Sequence, residues 1–289
     1  MNYEHAFHAG NPADVLKHSA LTLLLLELTR RQDPLHYLET HAGSGLYTLD
    51  DPTGEWTQGI GKLASKSARR KLPELIPYLD FLPWNDGVLG EYPGSPLIAE
   101  ACLREEDTVE LWELKASAEQ HLRGLFPKGK GRVSVHGGDG YEAVHRTKIP
   151  EGTRLVVHLD PPFEKVDEWD TILHTLVKAT RKRPSAVFML WYPVKEGPPH
   201  AGRPEELRSR LEAQKVPGVA VELTSTGGML APRTDVPKVR GALLGSGLLF
   251  VGAPHRAIAK LGSVLPELAR SLARSEHGQA WQARWFGWL

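Results

Sequence analysis

The chain has 289 residues, 35 basic and 35 acidic, so its formal net charge is zero and its pI lies near 7.3. That balance excludes an acidic solvating tail and a histone-like polycation. With 41% hydrophobic and 24% charged residues, and 28 glycines beside 22 prolines, it is loop-rich but globular, and neither fibrous nor low-complexity.

The length suits one compact domain with an insertion, or two small domains. A single cysteine, Cys102, excludes an internal disulfide and any multi-cysteine metal site, and fits the reducing cytoplasm. The start Met1-Asn2-Tyr3-Glu4-His5 lacks the basic head of a secretory signal. The longest apolar run, Leu21 to Leu28, is broken by Thr22 and Glu27 and is far shorter than the roughly 20 residues that span a bilayer. No membrane partner is expected.

The first helix is marked by Asn11 as N-cap, Pro12 at the first helical position and Asp14 in the first turn, and should end near Arg30-Arg31. A short strand at 36–40 runs into the glycine turn His41-Ala42-Gly43-Ser44-Gly45. Residues 51–92 are irregular, with four prolines and the basic set Lys62, Lys66, Arg69, Arg70 and Lys71, and are expected to form an inserted, mostly helical subdomain. Residues 1–50 before it and 93–289 after it would make up the main domain. In that second part the spacing predicts a helix to Arg104, a strand over 108–114, a helix over 117–126, a strand over 132–136 and a short helix after Asp139. Further on come a strand over 154–159, a helix over 168–183 and a strand over 186–191. A helix over 205–214, strands over 219–226 and 247–251 and a helix over 257–274 complete the pattern. Strands alternating with helices imply a mainly parallel sheet covered on both faces. The aromatics Trp281, Trp285, Phe286 and Trp288 are expected to pack on that sheet.

Ligands in open α/β sheets bind at the carboxyl ends of the strands. After the first strand, the loop at 41–45 offers glycines for close backbone approach and amides for an anionic group, although an ordinary strand-to-helix turn explains it as well. Glu113, at the next strand end, suits ribose hydroxyls or is a solvated carboxylate. Asp139, in His136-Gly137-Gly138-Asp139-Gly140, suits an adenine amine or is a helix N-cap.

Asp160-Pro161-Pro162-Phe163 is the sharpest signal, a pattern that arises by chance in about one chain in a hundred of this length. An exocyclic adenine amine is a poor nucleophile because its lone pair is delocalised into the ring. Two acceptors aimed at its hydrogens, the Asp160 carboxylate and the Pro161 carbonyl, would localise that lone pair, and the prolines keep the loop rigid. Phe163 would offer a face to a base drawn from its helix, and Asp160 would take the proton released after methyl transfer.

Asp160-Pro161-Pro162-Phe163 resembles the fourth motif of amino-methyltransferases that use S-adenosylmethionine (SAM), and its order after the glycine loop, Glu113 and Asp139 is that of class I methyltransferases. More narrowly, the chain resembles the bacterial 23S ribosomal RNA adenine-N6 methyltransferases of the RlmJ type. The stretches that carry this are Tyr3, Phe7-His8-Ala9-Gly10-Asn11, 13–18, Thr40-His41-Ala42-Gly43, 92–97, Asp160-Pro161-Pro162 and Leu190-Trp191-Tyr192-Pro193. The resemblance implies a Rossmann-like class I methyltransferase sheet with helices on both faces and an inserted helical subdomain. It implies SAM contacts from His18, His41, Ser95, Glu113, Asp139, Gly140 and Asp160, proton acceptance by Asp160, and RNA contact by Tyr3, with a single adenine in domain V as target. Lys17, in the same N-terminal block, is placed by the methionine carboxylate or an RNA phosphate. After Thr224 the match thins to Arg240-Gly241 and Gly245-Ser246-Gly247.

Neutral overall charge leaves RNA binding to local clusters. The inserted set Lys62 to Lys71 is favoured over Lys128-Lys130-Arg132 and Lys178-Arg181-Lys182-Arg183. No metal is expected: His5 and His8 lack a third ligand at a recognisable spacing, and amino-group methylation needs no Lewis acid. A monomer is favoured. The alternatives are a DNA adenine-N6 or protein glutamine methyltransferase, because the motif reads a planar amine, and a SAM-binding RNA assembly factor without turnover.

Overall fold

The computed structural model describes residues 5–127, 131–225, 243–273 and 281–288. A single turn, α1 (His5–His8), leads to α2 (Pro12–Leu28), where Asn11 Oδ1 accepts from the Asp14 amide at 3.0 Å and Pro12 occupies the first turn. Buried residues cover α2 on all sides, because it lies between the sheet and a second layer of helices.

The chain continues through β1 (Leu35–Glu39), β2 (Leu46–Thr48), α3 (Lys66–Lys71), α4 (Ile76–Phe81), β3 (Trp84–Asn85), β4 (Val88–Leu89), β5 (Glu91–Pro93) and α5 (Ser95–Cys102). Then come β6 (Thr108–Glu113), α6 (Ala116–Leu125), β7 (Val133–Gly137), α7 (Gly140–Arg146), β8 (Arg154–Leu159) and α8 (Glu168–Lys182). The last elements are β9 (Val187–Lys195), α9 (Arg203–Ala213), β10 (Gly218–Ser225), β11 (Leu243–Val251), α10 (His255–Leu272) and β12 (Trp281–Trp288).

The main sheet has the order β12-β10-β11-β9-β8-β1-β6-β7. The strands from β7 to β9 are parallel neighbours, whereas β11 runs antiparallel between β9 and β10, and β12 antiparallel along β10. This is a Rossmann-like α/β sheet whose order reverses at β1, which places the crevice for a ligand at the carboxyl ends of β1, β6, β7 and β8. One apolar core joins α2, α5 and α10 to one face, and a second joins α7, α8 and α9 to the other.

Residues 51–92 are largely helical as expected, with three single-turn 3₁₀ helices, Glu55–Gln58, Ile60–Leu63 and Pro73–Leu75, beside α3 and α4. They also hold a hairpin the sequence reading lacked. Asp86 (φ 49°) and Gly87 (φ 81°) form the two-residue turn of β3 and β4, both in the left-handed region such a turn requires. Gly59 lets this segment touch the N-terminal block, since a Cβ there would lie 2.1 Å from the Gly10 carbonyl oxygen.

The aromatic stretch after residue 280 is the strand β12, which the reading did not assign because its apolar residues do not alternate. Trp288 packs over Gly218, and its indole N–H donates to the Val216 carbonyl at 2.6 Å. The aromatics thus form the sheet's edge strand instead of packing on it: Trp288 is buried and Trp281 and Phe286 half-buried, but Trp285 is exposed.

Candidate active site

A cleft of about 720 Å³ opens at the carboxyl ends of β1, β6, β7 and β8, within the size range of small-molecule sites. Its lining brings together Lys17, His18, His41, Ser95, Glu113, Asp139, Gly140, Asp160 and Pro161 from six separate segments of the chain. Tyr3 lies outside the described residues.

The glycine loop is shaped by its neighbours. Gly43 and Gly45 hold φ of 62° and 78°, and the turn at β7–α7 approaches so closely that a Cβ on Gly140 would lie 2.1 Å from the Thr40 carbonyl oxygen. Three of the loop amides are engaged inside the protein, which favours the ordinary-turn alternative over amides that wait for an anion. Ala42 N–H donates to the Trp112 carbonyl (2.9 Å), Gly43 N–H to Glu113 Oε2 (2.8 Å) and Ser44 N–H to the Tyr47 hydroxyl (3.2 Å).

Glu113 thus positions the loop, and its other oxygen accepts from the Lys115 amide at 2.8 Å. A carboxylate has about four lone-pair sites, so two remain for hydroxyl donors. Asp139 caps α7 through Oδ1, which accepts from Tyr141 and Glu142 amides at 2.8 and 3.4 Å. It is an N-cap, as one of its two sequence readings has it, and it also lines the cleft. His41 stacks edge-on to Tyr141 at 5.0 Å, and burial lowers its pKa against the pull of Asp160 and Glu113, so it is neutral near pH 7.

Lys17 differs from expectation. Its ammonium is held by Asp14 at 2.8 Å and Asp160 at 2.6 Å, with its side chain only 10% exposed. Burial alone would lower its pKa, but the two carboxylates outweigh that and raise it, so Lys17 stays charged. His18, beside it, is pushed down to about 3 by burial and then by the Lys17 charge, and its Nδ1 meets the Tyr92 hydroxyl at 2.6 Å.

Phe163 is corrected. It is 1% exposed, outside the cleft lining, and packed on Trp169 at 4.6 Å. Its φ of 50° turns the chain so that the ring enters the core, where it meets Trp191 edge-on at 6.0 Å. Trp191, half-buried, lines the cleft together with Tyr47 and Tyr141. Beneath the cleft, Glu39 is wholly buried and accepts from Ser95 Oγ and from the Tyr37 hydroxyl at 3.0 Å, with His158 Nδ1 3.2 Å away. The reading missed Glu39 as a site-supporting group because its partners are scattered along the chain.

Several members of the basic clusters make structural contacts. Lys62 Nζ donates to the Leu272 and Ala273 carbonyls at 2.7 and 3.0 Å, capping α10; Arg69 pairs with Asp80; Lys71 lies 3.7 Å from Glu267. Lys182 and Arg183 donate to the His145 and Thr147 carbonyls at 2.8 and 2.5 Å at the end of α7, and Arg132 to Glu100 O at 2.5 Å. Lys128 and Lys130 lie outside the described residues. Among the described residues no group of three His, Cys, Asp or Glu side chains is placed to hold a metal ion, and no helix is long and apolar enough to cross a membrane.

A family model described as Ribosomal RNA large subunit methyltransferase D, RlmJ, matches residues 32–287. The chain belongs to this family. It is 31% identical to Ribosomal RNA large subunit methyltransferase J of Escherichia coli over 97% of each chain. It is also 31% identical to the protein of the same name from Haemophilus influenzae, over 99% of this chain and 98% of that one. A crystal structure of a Legionella pneumophila protein superposes with a TM-score of 0.80 at 28% identity, covering 96% of this chain and 98% of that one. Membership makes the protein a ribosomal RNA methyltransferase, in keeping with a cleft built at the switch point of its sheet.

Proposed function

We propose that the protein transfers a methyl group from SAM to the exocyclic N6 amine of an adenine in 23S ribosomal RNA, by family resemblance a single adenine in domain V. It would act in the cytoplasm, as a monomer, with residues 51–92 as an inserted subdomain of the methyltransferase fold. The observation that carries the reading is Asp160-Pro161-Pro162 at the carboxyl end of β8, on the wall of the cleft beside Trp191.

The residues present fit SAM. Asp14, Glu113, Asp139, Asp160, Glu164 and Glu168 line the cleft against Lys17, Lys115 and Lys165, an acidic surround suited to a sulfonium and an ammonium. In this reading Glu113 would take the ribose hydroxyls, Asp139 and Gly140 the adenine, and Ser95, His18 and His41 the rest, all of them lining the cleft. Ser95 donates its hydroxyl proton to Glu39, so it presents lone pairs to a ligand N–H. When bound, SAM supplies an electrophilic methyl carbon on a sulfonium.

The target adenine would stack on Trp191, which Phe163 supports from behind. Its amine donates to Asp160 and to the Pro161 carbonyl, which localises the nitrogen lone pair for attack. Lys17 occupies Asp160 Oδ2 and keeps the carboxylate in place, leaving Oδ1 to accept the proton that the methylated amine sheds.

The test is methyl transfer from labelled SAM to protein-free 23S rRNA from cells lacking the protein, digested to nucleosides. N6-methyladenosine is expected with wild type and not with Asp160→Ala, which should still bind SAM. Label in DNA or protein would favour the other amine methyltransferases. Retained cellular function of Asp160→Ala would favour a non-catalytic assembly factor.

A further inference from the structure

An acidic cleft has to hold one nucleotide of a polyanion, and phosphates are repelled from such a floor, so neutralising cations belong at the rim. Several side chains of the basic clusters evident in the sequence are already engaged, capping helices or pairing with carboxylates.

Two lysines lie on the acceptor-motif side of the cleft, Lys165 in its lining and Lys195 outside it at the carboxyl end of β9. Lys165 lies two residues after Phe163, is exposed and lines the cleft. Lys195 ends β9 four residues after Trp191, on the same face by strand alternation and roughly 13 Å further along. Its register partner on β11 is Leu243, which itself lines the cleft. Neither ammonium has a carboxylate within 4.0 Å among the described residues.

Lys195 is half-buried as well, and burial with no compensating anion lowers its pKa. His200, just beyond, is lowered by burial and then by Lys195 and Arg203. A partly desolvated cation without a compensating anion gains most from an external one.

We propose that Lys165 and Lys195 bind backbone phosphates of the RNA next to the target adenine, one from the loop after β8 and the other from the end of β9. This rests on the ribosomal RNA reading above. The experiment measures binding of a 23S rRNA transcript across a salt series for wild type, Lys165→Ala, Lys195→Ala, the double variant and Lys195→Arg, together with SAM affinity and the KM and kcat of methyl transfer.

Each alanine variant should weaken RNA binding roughly threefold to tenfold and flatten the salt dependence by about one phosphate contact, irrespective of RNA sequence. KM should rise with kcat nearly unchanged, SAM affinity should hold, and Lys195→Arg should bind as wild type. Wild type that methylates 23S rRNA while the double variant keeps its RNA affinity and salt slope overturns this inference alone. Wild type that transfers no methyl group to RNA overturns the functional reading and the inference with it.

Discussion

Lys17 and Asp160, 143 positions apart in the chain, meet in a 2.6 Å ion pair at the cleft wall, with Asp14 closing the other side of the ammonium at 2.8 Å. The carboxylate proposed as proton acceptor is thus tied to the first long helix, and helix α2 and the end of strand β8 share one electrostatic joint.

Lys17→Met should therefore cost more than a surface charge. It leaves two carboxylates facing one another without their cation, a loss of about 3–5 kcal/mol for a buried pair. Denaturant unfolding measures it, and methyl transfer should fall at least tenfold while Lys17→Arg keeps most of both. A variant as stable and active as wild type would show that the ammonium is dispensable.

His18 sets a pH dependence of stability. Its folded pKa of about 3 lies below its unfolded value near 6.5, so between these limits the unfolded chain binds a proton that the folded one does not. Stability is whole above pH 6.5 and falls as pH drops toward 3, by on the order of 1.4 kcal/mol per unit from this group. Replacing His18 with Gln should flatten the slope of unfolding free energy in that window. An identical slope in both proteins would contradict the assignment.

Gly140→Ala tests the closeness of the two loops. A Cβ 2.1 Å from a backbone oxygen cannot be relieved by a side-chain rotation, so the β7–α7 turn has to move away from β1. A stability loss of about 1–3 kcal/mol is expected. SAM affinity should drop at least tenfold in calorimetry; full affinity would mean the turn relaxes without disturbing the cleft.

Much of this was legible in the sequence because it is local. Asn11 and Pro12 announce α2, and the acidic residues at strand ends, Glu113, Asp139 and Asp160, mark the crevice by their place after apolar runs. What was not legible depends on tertiary partners. Lys17 looks the same whether it faces a phosphate or an aspartate 143 positions away. Phe163 looks like a stacking ring until its left-handed φ sends it into the core. Strand β12 has no alternation to betray it, and Lys62 reads as a surface charge although it caps a helix more than 200 residues later.

That last contact yields a prediction of its own. Lys62→Met should destabilise the protein by about 1 kcal/mol by uncapping α10, with RNA affinity preserved. Thermal melts and RNA titrations on the same preparation would separate the two effects, and weaker RNA binding at unchanged stability would restore Lys62 to the binding surface.

The segment 51–92 shares its apolar core with the rest of the molecule. Ile60, Leu63, Leu75, Tyr78 and Leu79 are buried in the same cluster as α2 and α10, and Gly59 sits against the backbone of Gly10. It is consequently no detachable cartridge. Transplanted onto another methyltransferase it would arrive with bare leucines, and within this protein it cannot swing toward a ligand without opening the core that seats α2. Whatever part of this segment meets RNA does so as a surface fixed to the core.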